Sequence, residues 1–341
     1  MSASRVPIIL LAGVLLLGGC ASPSDGGTPT PTAPPTSPTA EPEQQRETGL
    51  TRPALVFDGQ CDSLFTDAEL SSVLGQTPPL VANHFTELWG GQGMIDQAGG
   101  LECTWRGDGA AVIALVLPEE ATPGYVASWT TCSDGGHDFD EMTCPIDAVT
   151  NGSRISGLVA VGSDEATATT AAQAFTDIFS TKAAAAEPVP VPIPAVGAWS
   201  LPVDCVTVVS GADLSAVPGL GASATGDNGG GYGKTTPELE RTLFGNWMPP
   251  TCFIIGESAT VEFVPIGGSR WREAETAARS DATPLQLTGV ESAYAVPYRD
   301  GQSLVYAFTG PNMLVFTVRY TGNADGIASA LVAWLDTTGA P

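Results

Sequence analysis

The chain has 341 residues, 43% of them hydrophobic, and carries 37 acidic against 13 basic side chains for a formal net charge of −24. That is enough chain for two ordinary domains with packed cores, while charge of this sign repels nucleic acid and anionic headgroups and excludes nucleic-acid binding as a function class. Seven Cys and two His, with no Cys-x-x-Cys spacing, leave no usual ligand set for a structural zinc site, and no cofactor is expected.

Read from the N-terminus, Arg5 precedes an apolar run over 6–17 that closes on Leu17-Gly18-Gly19-Cys20. The run is shorter than the about 20 residues that a bilayer span needs. It reads as a secretory signal over 1–19. The small pair before Cys resembles the lipobox of bacterial lipoproteins, which implies that Cys20 is acylated and begins the mature chain. The expected location is therefore the cell membrane, lipid-anchored, on the extracytoplasmic side. Residues 20–52 are dominated by Thr, Pro, Ser, Gly and Glu, as in Thr28-Pro29-Thr30-Pro31-Thr32. Such a composition buries too little apolar surface to order itself and reads as a disordered tether.

A first α+β domain is expected over 53–181. Thr66 and Glu69 have the spacing of a capping box ahead of a short helix. Val112–Leu117 is an apolar strand that ends at Pro118, and a helical candidate surrounds Trp129. Asn151-Gly152 suits a type I′ hairpin turn ahead of a strand over 155–161. Ala171–Phe179 repeats apolar residues at helical spacing. Alternating prolines in Glu187-Pro188-Val189-Pro190-Val191-Pro192-Ile193-Pro194 rule out a central strand. A Pro-rich interdomain linker is expected over 182–200, with a loop packed on one domain as the other reading.

A second α+β domain is expected over 201–341, because the pattern returns there. Leu214 stands as far from Cys205 as Leu70 from Cys61, and Ser210 with Asp213 mirrors Thr66 with Glu69. A later Cys follows in each half, Cys103 or Cys252, and then an apolar strand, with Thr260–Val264 ending at Pro265. Trp271 parallels Trp129, and Asp300-Gly301 parallels Asn151-Gly152. Strands over 304–308 and 313–320 and a helix over 327–335 complete the half. The reading is two tandem copies of one small disulfide-bonded domain, an antiparallel sheet packed with helices.

With Cys20 assigned to lipid, six Cys remain, an even number that argues for disulfides in an exported chain. The internal repeat pairs Cys61 with Cys103 and Cys205 with Cys252, which leaves Cys132 for Cys144. The rival is that Cys132 or Cys144 pairs with Cys61 or Cys103.

The layout resembles a family of uncharacterised actinobacterial lipoproteins. Its pattern is a lipobox, a low-complexity tether, a Cys, a short helix ending near Leu-Gly, and a later Cys followed by an aromatic. Cys61, Leu74-Gly75 and Cys103-Thr104-Trp105 fit it. Cys205, Pro218-Gly219 and Cys252-Phe253 fit it more loosely, lacking Leu before Gly and Trp after Cys. The resemblance implies an extracytoplasmic, membrane-tethered α+β domain. Similar-looking domains serve as extracellular sensor domains of receptor kinases, which implies ligand binding. The family carries no catalytic residues over to this chain.

Several stretches invite a chemical reading. Between Cys132 and Cys144, Asp134, Asp138, Asp140 and Glu141 offer carboxylates of the kind that hold Ca²⁺ at about 2.3–2.6 Å. Their spacing departs from the EF-hand pattern, and a solvated acidic loop is the plainer reading. Gly226–Thr235 superficially suggests a phosphate loop, yet Asn228 stands where the Walker pattern needs Gly, so it reads as a Gly-rich loop. No Gly-x-Ser-x-Gly elbow occurs, and neither His84 nor His137 has a nucleophile in its sequence context. Trp89, Trp247 and Met248 sit in polar, Gly- and Pro-rich loops, where aromatics form surfaces for apolar or sugar ligands. The other reading folds each Trp onto its own core. Trp105, Trp129, Trp271 and Trp334 fall on periodic segments and read as core, and Trp199 opens the second domain.

The function expected is non-enzymatic binding or sensing, by a protein attached to the membrane through its lipid and facing a cell-envelope protein or a wall ligand. The alternatives are a cell-envelope hydrolase built on scattered carboxylates and a structural component of an envelope complex.

Overall fold

A computed structural model describes residues 51–81, 91–127, 129–134, 139–193, 195–199, 205–212, 214, 217–221, 225–228, 252–256, 260–298, 301–319 and 323–338. After a 3-10 turn at Val56–Gly59 come two short helices, α1 (Cys61–Leu64) and α2 (Asp67–Leu74). The capping box at α2 is present. The Glu69 N–H donates to Thr66 Oγ1 at 3.3 Å, and the Thr66 N–H donates to Glu69 Oε2 at 2.7 Å. The pair satisfies two amides that no helical carbonyl reaches.

The first sheet contains β1 (Leu101–Gly107), β2 (Ala110–Pro118), β3 (Thr143–Thr150) and β4 (Ser153–Val161) in the order β1-β2-β4-β3, all antiparallel. Asn151 and Gly152 join β3 to β4 with φ of 49° and 74°, both positive as a type I′ turn requires. β2 is buried at every position, because it is an inner strand covered on both faces. Val112, Ala114 and Val116 face a core closed by Phe175 and Phe179 of the long helix that follows β4.

 Helix α4 spans Glu165–Ala185 and follows β4 directly, its N-cap Asp164 accepting from the Thr167 N–H at 2.9 Å. The alternate residues of β2 point to the opposite face. There Ala111 and Ile113 pack with Phe139 and Leu158, and Leu115 and Leu117 pack with Ile95. Ile95 belongs to α3 (Gly91–Gln97), which precedes β1 in the chain.

The second sheet is larger. It contains β5 (Thr225–Asn228), β6 (Cys252–Ile255), β7 (Thr260–Ile266), β8 (Thr283–Leu285), β9 (Ser292–Pro297), β10 (Ser303–Thr309) and β11 (Asn312–Val318), in the order β5-β6-β7-β11-β10-β9-β8. Helices α5 (Cys205–Gly211), α6 (Arg272–Ala277) and α7 (Ala324–Thr338) accompany it. Ile327, Ala328, Leu331, Val332 and Leu335 of α7 recur at helical spacing and cover one face, over Phe263, Val305, Leu314 and Phe316. On the other face Val264, Ile266, Tyr306, Phe308 and Met313 pack with Met94 of α3. The neighbours Met94 and Ile95 thus serve different sheets, and α3 lies between them. All the described residues fall in one compact unit, with a mixed helix and antiparallel-sheet, α+β, architecture.

Three disulfides staple it: Cys61–Cys103, Cys132–Cys144 and Cys205–Cys252. These are the pairings expected from the sequence. Outer strands are short or interrupted. β3 carries Pro145 and β8 carries Pro284, where a proline removes a ladder donor. The open side of β1 is taken by the backbone of 79–81, through Val81 N–H to Thr104 O at 2.9 Å and Arg106 N–H to Pro79 O at 3.0 Å.

Four expectations change. α4 continues through Ala185, so the Pro-rich stretch begins later than 182, and its Val189 and Val191 pack on first-half clusters. Trp129 lies outside any helix or strand, half-buried against the Phe139 cluster. β7 runs one residue past Pro265 to Ile266. Ser210 does not stand ahead of a helix as expected, and its intended partner Asp213 lies outside the described residues. Ser210 lies inside α5 and its Oγ donates to Thr207 O, because Cys205, Val208 and Ala212 form the buried stripe. Leu214, Val217 and Leu220 then follow at three-residue spacing in successive turns, with Val217 N–H to Leu214 O and Leu220 N–H to Val217 O, both at 3.1 Å.

Candidate functional site

Cys20, His84, Trp89, His137, Asp138, Trp247 and Met248 lie outside the described residues. Of the acidic loop, Asp134 and Asp140 are exposed and Glu141 is half-buried, while Phe139 between them is buried under the Arg106 guanidinium, 4.8 Å from its ring centre. The Cys132–Cys144 disulfide and a bridge between Ser133 and Thr143 close the base of this loop. Among the described residues, no three His, Cys, Asp or Glu side chains gather as a metal site would need. The core Trp residues are where their periodicity puts them in three cases. Trp105 and Trp271 are buried, and Trp334 is half-buried on the α7 core. Trp199 is buried too, its indole N–H donating to Asp336 Oδ1 at 3.0 Å.

A charged network sits at the β9–β10–β11 corner. Arg270 donates to Glu273 and to Glu291, each at 2.5 Å, and to the Gly310 carbonyl at 3.1 Å. Ser292 Oγ donates to the other oxygen of Glu273, and the Gly310 N–H donates to Glu291. Burial works against the Arg270 charge, yet the hydrogen bonds to Glu291 and Glu273 outweigh it and raise its pKa. The bonds from Arg270 and from the Gly310 amide hold the Glu291 carboxyl below its usual range. A Ser beside a Glu has the outline of a nucleophile and base. Here the Glu is already held by Arg270, so the arrangement is a clamp that ties the turn after β10 to the segment entering α6.

A second polar cluster forms where α3 meets the larger sheet. Arg52 donates to Asp96 Oδ2 at 2.8 Å, reaches Glu275 Oε1 at 3.8 Å, and lies over the Trp271 ring at 5.3 Å. Gln97 Oε1 accepts from Trp271 Nε1 at 3.2 Å and from Ser269 Oγ at 3.3 Å. A Cβ on Gly93 would come within 2.7 Å of the Arg272 guanidinium and 3.3 Å of the Met313 methyl. The Arg272 side chain would have to shift to admit one. Nearby, Asn312 takes the Trp199 N–H at 2.9 Å and donates to Gly197 O at 3.0 Å, so the end of the Pro-rich stretch is tied to β11. Sequence reasoning missed this cluster. Arg52 ends a low-complexity stretch, and α3 alternates Gly and polar residues without an apolar period.

No family model matches the chain, and no curated protein matches it. Among solved structures, the crystal structure of the di-domain ARO/CYC StfQ from the steffimycin biosynthetic pathway is similar at 11% identity over 72% of this chain and 82% of that one, with a TM-score of 0.15. A likeness at that level carries no argument about fold or activity.

Proposed function

We propose that this protein is a lipid-anchored extracytoplasmic protein that binds or senses a ligand without catalysing a reaction, and that its folded part is two copies of one α+β module. The observation that carries the reading is the use of cysteine. Six of the seven Cys pair in three disulfides, and Cys20 alone stands outside them. Disulfides suit a chain that folds outside the reducing cytosol, and a spare Cys behind Leu17-Gly18-Gly19 suits acylation. The stretch 20–52 then serves as the tether and 1–19 as the signal.

Support for duplication comes from the strand orders. β1-β2-β4-β3 of the smaller sheet has the same succession as β6-β7-β11-β10 within the larger one. Each half also carries a disulfide from the start of a helix, Cys61 or Cys205, to the first strand of that succession, at Cys103 in β1 or Cys252 in β6. On this alignment Asn151-Gly152 corresponds to the turn at Gly310-Pro311 rather than to Asp300-Gly301, of which Asp300 lies outside the described residues. Trp89, Trp247 and Met248 are the residues we assign to the binding surface, with a cell-envelope protein or a wall component as partner.

The test is the state of Cys20. Mass spectrometry of the protein from membranes is expected to find Cys20 as the acylated N-terminal residue, and Cys20→Ala is expected to leave the membrane fraction. An intact N-terminus on the membrane-bound protein would refute the anchor. For the binding role, Trp89→Ala with Trp247→Ala is expected to abolish partner capture with unchanged melting; unchanged capture would remove those loops as the site.

A further inference from the structure

None of the three disulfides crosses from one sheet's half to the other, so the halves are joined covalently only by backbone. Among the described residues, they meet at α3, with Met94 in the larger sheet's second core and Gln97 accepting from Ser269 and Trp271, and at the contacts of Arg52. We propose that Arg52 is a removable brace: seated, it makes the two halves unfold as one, and withdrawn, it lets them part.

The geometry gives three reasons. Arg52 contacts both halves, through Asp96 on α3 and through Glu275 and Trp271 at α6. A planar guanidinium can pair with a carboxylate in its plane and stack on an indole face at once, which an ammonium cannot. Arg52 itself is 46% exposed and precedes the first helical turn, so it can withdraw without opening a hydrophobic core.

Scanning calorimetry of the full chain at neutral pH tests the brace. The natural protein is expected to give one endotherm. Arg52→Ala is expected to give two, the halves melting separately, and Arg52→Lys is expected to resemble it because the stacked plane is lost. Arg279→Ala is the control. It removes an exposed pair with Asp281 in the second half and is expected to keep a single endotherm. Two endotherms in the natural protein, or one in Arg52→Ala at any temperature, would overturn the proposal.

Discussion

Lys182 closes the first half with one ammonium group. Its Nζ donates to Glu69 Oε2 at 2.6 Å, to Leu64 O at 2.9 Å and to Ser63 O at 3.3 Å. It therefore ties the last turn of α4 to carbonyls at the end of α1, which the helix leaves without partners, and to the capping residue of α2. Burial alone would raise the Glu69 pKa, but hydrogen bonds from Lys182 and Thr66 outweigh it and leave the carboxyl below its ordinary value of 4.5. A carboxyl depressed by folding contributes stability above its ordinary pKa and loses that contribution as pH falls through the lower, folded value. Glu69→Gln is thus expected to lower the urea midpoint at pH 7, with the gap to the natural protein closing as pH falls below 4.5. A gap that stays constant down the acid limb would show that the charge on Glu69 contributes nothing.

At the scale of elements, β2 and β4 approach each other closely at Gly157. It stands opposite Ala114, and a Cβ there would fall on the Ile113 carbonyl oxygen. Gly157→Ala is expected to cost about 1–3 kcal/mol as the inner strands are forced apart, read as a lower urea midpoint at unchanged slope. An unchanged midpoint would mean that the strands give way freely. The elements legible in the sequence are those whose signals are local. Thr66 and Glu69 announce α2, Asn151-Gly152 announces a hairpin, and the unbroken Val112–Leu117 run announces a strand buried on both sides. α3 was not legible, since its two apolar neighbours Met94 and Ile95 point to different sheets and so make no single stripe. α5 is not announced by the sequence, because the capping-box look-alike at Ser210 points to a helix beginning after it. The binding residues assigned to Trp89, Trp247 and Met248 rest on loop composition, which carries no geometry, whereas Arg52 and Asp96 meet only because the chain folds.

For the whole molecule, the disulfides divide by the length of chain they close. Cys61–Cys103 spans 42 residues and Cys205–Cys252 spans 47, against 12 for Cys132–Cys144. In the chain-entropy account the long loops are worth about 4 kcal/mol each and the short one about 3 kcal/mol. Removing the Cys132–Cys144 pair as a double Ser variant is therefore expected to lower the melting temperature less than removing Cys61–Cys103. The reverse order would mean that the short link carries native contacts beyond its loop. The short link also holds the edge strand β3 to the segment before the acidic loop, which places its effect at the rim of the first sheet.

The outermost strands, with Pro145 on β3 and Pro284 on β8, bear on how many copies can share a surface. Proteins crowded side by side risk zipping together through open strand edges into sheets that grow without limit. A missing amide hydrogen in the outermost rung interrupts the row of donors that a neighbour would have to match. The prolines of β3 and β8 thus work against edge-to-edge pairing at one edge of each sheet.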